Sequence, residues 1–272
     1  MNGLDDLRGW TLNTAIQSHI DVYVSQSTFE GVQRSFPYLV AKEFASGGGD
    51  VPEFKWHIIE DNVPFEILDT GIQITPFAVH HGRVFSVVPP LAPTSSVTTI
   101  STPVKPTTLL SKLLPDQERL VDEVKNPYLC FGFKFGHDIV YISDVSYIPE
   151  DKWPIVESRP SNGRALPVLV LDCLRLRPHT SHFGLENAVD SARRIDATRT
   201  YLIGFGHEVA HDDLVMLGEA VGGKALETET LTETVKAGLE LIQQGKNVWV
   251  RPSHDGLRVF VGGDGRVHDS SY

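Results

Sequence analysis

The sequence predicts an α/β protein with mixed sheets, on three observations. Short apolar runs end abruptly on polar residues: 139–143 (Ile-Val-Tyr-Ile-Ser) runs into Asp144, 167–171 (Pro-Val-Leu-Val-Leu) into Asp172, and 200–203 (Thr-Tyr-Leu-Ile) into Gly-Phe-Gly-His. Runs of that length and composition read as buried strands. Helical periodicity appears between and after them, at 185–194, 212–221 and 231–244. From residue 128 onward the two patterns alternate, as when helices cover a partly parallel sheet.

Taken in order, residues 4–11 (Leu-Asp-Asp-Leu-Arg-Gly-Trp-Thr) read as a short helix and 19–24 alternate like a strand. Ser25 or Ser27 can cap a helix that ends near Pro37. Residues 47–50 (Gly-Gly-Gly-Asp) read as a surface link. Strand-like runs follow at 55–59, 64–68 and 72–79, the last ending on His80-His81-Gly82. Between 89 and 127 the composition shifts to Pro, Ser, Thr and Val, which predicts a disordered or lid-like insert. A hairpin is predicted from 128–135 through Gly136-His137-Asp138 into 139–143, then a short helix at 149–157. The last strands are predicted at 247–251 and 257–261.

At 272 residues the chain can bury a full core, and 1–272 is read as a single domain carrying that insert. The formal charge of −11 argues against a nucleic-acid surface spread over the whole protein, while a local basic groove stays open. The two cysteines, Cys130 and Cys173, sit inside apolar strand patterns, so a disulfide framework is not expected and a reducing compartment is. No apolar run is long enough to cross a bilayer. The opening Met-Asn-Gly-Leu-Asp-Asp lacks the pattern of a secretory or mitochondrial signal. A cytoplasmic protein is the expectation, with mitochondrial targeting open if the N-terminus is incomplete.

Three strands deliver acids or imidazoles to their C-terminal ends, where α/β folds place chemistry. An acid at the end of an apolar run, as at Asp144, is costly to bury unless a cation or hydrogen-bond donors receive it. A helix cap or Asx turn explains one such Asp equally well. Asp172 has the same two explanations, with Arg175 and Arg177 as available partners. Both acids together with His81, His182 and His207 at strand ends favour a metal site. His80 and His81 are adjacent, so on a strand only one can face that site. His179 and His182 precede a helix, placed to donate a proton or touch substrate. His207-Glu208-Val209-Ala210-His211 fits H-E-x-x-H, which needs a helix through it. Gly204-Phe205-Gly206 just before it are strand end and poor helix formers, so a zinc peptidase is the weaker reading. Neither a Gly-x-Ser-x-Gly elbow nor a phosphate-cradling Gly-x-x-x-x-Gly-Lys loop is present.

Five segments in order resemble the metallo-β-lactamase superfamily, and within it the branch of phosphonate-pathway cyclic phosphodiesterases and their fungal and plant relatives. They are 75–82 (Thr-Pro-Phe-Ala-Val-His-His-Gly), 141–149 (Tyr-Ile-Ser-Asp-Val-Ser-Tyr-Ile-Pro), 169–173 (Leu-Val-Leu-Asp-Cys), 179–183 (His-Thr-Ser-His-Phe) and 201–208 (Tyr-Leu-Ile-Gly-Phe-Gly-His-Glu). The resemblance implies an αββα sandwich of two mixed sheets with two metals, zinc or manganese, at one edge. It implies His81 on one metal, His207 on the other, Asp144 bridging them, and His182 near the scissile phosphate. Asp5, Asp6, Asp172, His179 and His211 would support the site or touch substrate. The implied activity is hydrolysis of a small-molecule or nucleotide-like phosphodiester by metal-activated water, with a protonated His182 able to serve the leaving oxygen. A homodimer is admitted and a membrane partner is not. A metal-poor scaffold that binds a partner is the non-catalytic alternative.

The family's His-x-His-x-Asp signature lies just before a Gly-Leu-Asp-Asp-Leu-Arg segment, which here is Gly3 to Arg8. The resemblance therefore carries the expectation that Met1 is an internal methionine, that the first strands are missing, and that this chain holds at most one metal weakly.

Overall fold

A computed structural model describes residues 3–14, 16–45, 51–84, 127–227 and 231–272. The link at 47–50 and the insert predicted at 89–127 fall outside the described residues, apart from Pro127.

The first residues make a 3-10 turn (Asp5–Leu7), the four-residue helix α1 (Arg8–Thr11) and a second 3-10 turn (Leu12–Thr14). Strand β1 (Ile20–Val24) then pairs in parallel with β2 (Phe54–Ile58), the crossover carrying α2 (Gln26–Ser35). Of the two serines the sequence offered as caps, Ser25 is the one used, its hydroxyl accepting the Thr28 N–H at 3.2 Å.

The centre is a seven-stranded mixed sheet whose spatial order follows the chain. Its strands are β3 (Phe65–Ile67), β4 (Ile72–Arg83), β5 (Pro127–Phe135), β6 (Ile139–Ile142), β7 (Val168–Asp172), β8 (Arg199–Ile203) and β9 (Val250–Pro252). Pairing is antiparallel from β3 to β6 and parallel from β6 to β9. The parallel connections carry helices, as they must to return the chain to the same edge. These are α3 (Trp153–Glu157), α4 (Leu185–Ile195), and the pair α5 (His211–Val221) and α6 (Glu233–Leu241).

Alternation along the strands sends Phe77, Val79, Val140, Ile142, Leu169, Leu171, Leu202 and Val250 to the helix side, where they form the main core. Helix α4 answers with Leu185, Ala188, Val189, Ala192 and Ile195, the i, i+3, i+4 spacing of one buried face. Each fully buried Leu or Ile contributes about 1.5–3 kcal/mol. On the other face Val168 and Tyr201 pack with Val267 of a small antiparallel ribbon, β10 (Val259–Val261) and β11 (Val267–Asp269). Covered on both sides, β7 can be apolar from Val168 to Leu171, which is why its run was legible. Besides the wide mixed sheet, the described residues form only the two-stranded ribbons β1–β2 and β10–β11.

Strand β4 runs four residues past its predicted end at Val79, because pairing with β5 continues through a bulge between His80 and Arg83. Among the described residues no helix is long and apolar enough to cross a membrane.

Candidate metal centre

The site gathers where β4, β6 and β7 end. His81, Asp144 and His182 each offer one ligand atom, and these atoms lie within 4.8 Å of one another. All three side chains are partly exposed.

His81 owes its position to strand alternation and to the bulge, which re-aims side chains at sheet edges. Its Nδ1 donates to the Ser181 carbonyl at 2.9 Å. A carbonyl only accepts, so the ring proton sits on Nδ1 and the lone pair on Nε2. Gly82, at φ +81°, turns the chain there; a side chain would press its Cβ to 3.1 Å from that of Ser181. His80 goes to the opposite face, its ring against Tyr147 and its N–H donated to the Tyr147 carbonyl. Burial lowers its pKa.

His182 comes from the loop between β7 and α4. Its ring stands nearly perpendicular to that of His81, centroids 4.7 Å apart. Its Nδ1 donates to Asp172 Oδ2 at 2.9 Å, again leaving the lone pair on Nε2. Asp172 is fully buried at the end of β7. The same Oδ2 accepts the N–H groups of Val145 at 3.1 Å and Phe183 at 3.4 Å. Burial raises the Asp172 pKa, against the opposing pull of those bonds and of His182. Its Oδ1 has no partner among the described residues, and a Cβ on Gly204 (φ +82°) would approach it to 2.9 Å. The sequence offered Arg175 and Arg177 as partners of Asp172. The structure gives that place to His182 and two backbone amides, and Arg175 faces Glu208 at 4.0 Å instead.

Asp144 lies two residues past the end of β6, after Ser143. Its Oδ2 accepts the Ser143 hydroxyl at 2.8 Å, and its backbone carbonyl accepts the Cys130 thiol. Burial pushes the Cys130 and Cys173 thiols up to about 12; Cys173 lies in the core, whereas Cys130 is only half-buried against it, and neither is in a disulfide.

The other sequence candidates lie elsewhere. His179 is exposed beside the site, bonded to the Ser181 hydroxyl, with its ring 6.0 Å from that of His182. His207 is exposed in the turn after β8 and is outside the three-residue group. Helix α5 begins only at His211, so His207 and His211 do not share a helical face. This removes the geometry a zinc peptidase needs. The cause is local: Gly204 takes a left-handed φ and the Gly206 N–H bonds the Leu174 carbonyl, holding the chain out of helix. His211 Nε2 meets the Tyr272 hydroxyl at 3.2 Å. Asp6 is exposed in the Asp5–Leu7 turn, where Asp5 also lies.

Two nitrogens and a carboxylate are a donor set suited to zinc or manganese. Metal-bound imidazoles characteristically donate their other N–H to a carboxylate or carbonyl, as both rings do here. The residues present therefore fit a divalent cation.

No family model and no curated protein matches the sequence, but solved structures match the fold. A diphosphatase of the PhnP family superimposes with a TM-score of 0.53 at 18% identity, over 94% of this chain and 64% of that one. YhfI from Bacillus subtilis, described as a metallo-β-lactamase fold protein, gives 0.52 at 13% identity over 99% and 72%. The fold is that of the metallo-β-lactamases. Unliganded yeast PDE1 gives 0.52 at 12% identity, over 94% of this chain and 64% of that one. The chain thus spans somewhat less than two thirds of the diphosphatase and of PDE1.

Proposed function

We propose that the chain is a metal-dependent hydrolase of phosphodiesters, with His81, Asp144 and His182 holding a zinc or manganese ion. The observation that carries the reading is the convergence of these three residues, both imidazoles being fixed through Nδ1. The fold shared with a PhnP-family diphosphatase and with yeast PDE1 supports it.

A divalent cation supplies acidified water and offsets the charge that develops on the phosphoryl oxygens. The chain's own residues set the geometry. Ser181 and Asp172 hold the two imidazoles in the tautomer with a lone pair at Nε2. The Ser143 hydroxyl donates to Asp144 Oδ2 and so restrains the carboxylate. We assign His182 to the cation rather than to the proton transfer suggested by family resemblance, because a ring donating from Nδ1 to a buried carboxylate is a strong nitrogen ligand.

Turnover of bis-p-nitrophenyl phosphate in zinc or manganese, measured beside equilibrium dialysis of the same ions, tests the reading. Release of p-nitrophenolate that EDTA abolishes and Asp144→Ala removes is expected. Neither metal uptake nor turnover would identify a non-catalytic scaffold. Full metal affinity with lost turnover in His182→Ala would return His182 to proton transfer.

A further inference from the structure

Toward the other end of the sheet from the metal group lies a buried lysine held without an acid. Lys134, on β5, is paired across the ladder with Thr75 of β4 and Val140 of β6. Thr75 lies about 20 Å before His81 along β4. Lys134 is almost wholly buried, and the charged group that acts on it is a second cation, Arg159. Among the described residues no carboxylate pairs with it. Its Nζ instead lies 2.8 Å from the Ile155 carbonyl, 2.6 Å from the Ser158 carbonyl and 2.6 Å from the Ser158 hydroxyl. The Val156 carbonyl is farther, at 3.4 Å. Burial and Arg159 bring its pKa down to about 8. Ser158 itself is exposed, at the C-terminal end of α3.

The donor count decides what this group can do. A neutral amine has two N–H groups and one lone pair. Carbonyls only accept, so the two near ones take both N–H groups and leave the lone pair for the Ser158 O–H. In the ammonium form that hydroxyl gives its proton to the Ile155 carbonyl, 2.9 Å away. Loss of the Lys134 proton therefore ties the exposed hydroxyl to a buried base, the relation an activated serine requires. Arg159 follows Ser158 in the chain, and its Nη1 is buried without a partner among the described residues. Its charge favours negative charge developing at the serine. We propose that Ser158 and Lys134 form a second reactive centre, nucleophile and base, that takes the acyl group of small activated carboxylic esters. The Ser158 oxygen bonds to the acyl carbon as its proton passes to the Lys134 nitrogen. The bond from that carbon to the leaving oxygen breaks, and the Lys134 proton follows the departing oxygen. Acyl-Ser158 and an alcohol are the products.

The full chain in EDTA is treated with p-nitrophenyl acetate, and acetylation is followed residue by residue by peptide mass spectrometry. Ser161, also exposed, is the internal reference. Ser158 should be acetylated at least about 100-fold faster than Ser161, the scale of general-base assistance. Its rate should rise with pH and level off above about 8, as Lys134 loses its proton. Ser158→Ala should abolish the fast release of p-nitrophenolate. Lys134→Met, its fold checked by circular dichroism, should remove the advantage over Ser161. Ser158 no faster than Ser161, a rate that keeps climbing with hydroxide and never levels, or an undiminished rate in folded Lys134→Met overturns the proposal. The pH profile is read on the unsubstituted chain and so stands whether or not Lys134→Met folds. Neither zinc nor a phosphodiester enters these measurements, so this centre and the metal reading fail separately.

Discussion

Two loops leave neighbouring strands of one sheet carrying histidines, and among the described residues only one of them brings a histidine into the group that could hold a metal ion. The loop after β7 brings His182 against His81, with Asp172 behind one ring and the Ser181 carbonyl behind the other. The loop after β8 holds the more familiar motif, His207-Glu208-Val209-Ala210-His211, yet leaves His207 exposed and ties His211 to the Tyr272 hydroxyl. The difference lies behind the rings rather than in the number of histidines. An imidazole becomes a good ligand when a fixed acceptor holds its other nitrogen.

The comparison can be broken by removing its parts, starting with the largest effect. Asp144→Ala removes the only carboxylate of the ligand group and should lower zinc or manganese affinity by more than about 100-fold, with loss of turnover, read by equilibrium dialysis. Asp172→Asn keeps size but loses the anion behind His182, and metal affinity should fall by about 10–100-fold while the fold stays intact by circular dichroism. Gly184→Ala probes the loop that carries His182. Its Cβ would lie 2.5 Å from backbone atoms of Arg177 and Pro178, contacts that cannot yield as a side-chain tip can. A loss of about 1–3 kcal/mol is expected in urea unfolding, with metal affinity weakened alongside. His211→Ala is the control at the small end, costing less than about 1 kcal/mol for one exposed hydrogen bond and leaving metal affinity within a factor of about three.

A second buried polar group sharpens the same point on the helix side of the sheet. Lys134 is 3% exposed, and its ammonium donates to the carbonyls of Ile155 and Ser158 and to the Ser158 hydroxyl, closing the end of α3. Burial, with Arg159 nearby, lowers its pKa from 10.5 to about 8. The unfolded chain thus binds the proton more tightly than the fold between these two values. The Lys134 contribution to stability is therefore greatest above 10.5 and is lost as the pH falls toward 8. Urea unfolding at the two ends of that window should show a rise in stability of about 2–3 kcal/mol that Lys134→Met lacks. Equal pH dependence in both proteins would contradict it.

Much of this was legible in the sequence because strands announce themselves. Asp144 and Asp172 stood out as acids ending apolar runs, and alternation alone said that His80 and His81 must part company. The two glycines before His207 already argued against a helix through that motif. What periodicity does not encode is how a twelve-residue loop such as 173–184 folds back, so the partner of Asp172 was misplaced onto Arg175 and Arg177. Strand β11, three residues of Val-His-Asp, is too short for any alternation to register. The continuation of β4 was hidden because His-His-Gly reads as an ending, and only pairing with β5 carries it on.

The most direct measurement is a calorimetric zinc titration of His182→Ala beside His207→Ala. Family resemblance implies His207 as a ligand, whereas the site proposed above uses His182. Affinity should fall by more than about tenfold in His182→Ala and stay within about threefold of the unsubstituted chain in His207→Ala. The opposite ranking would contradict the account.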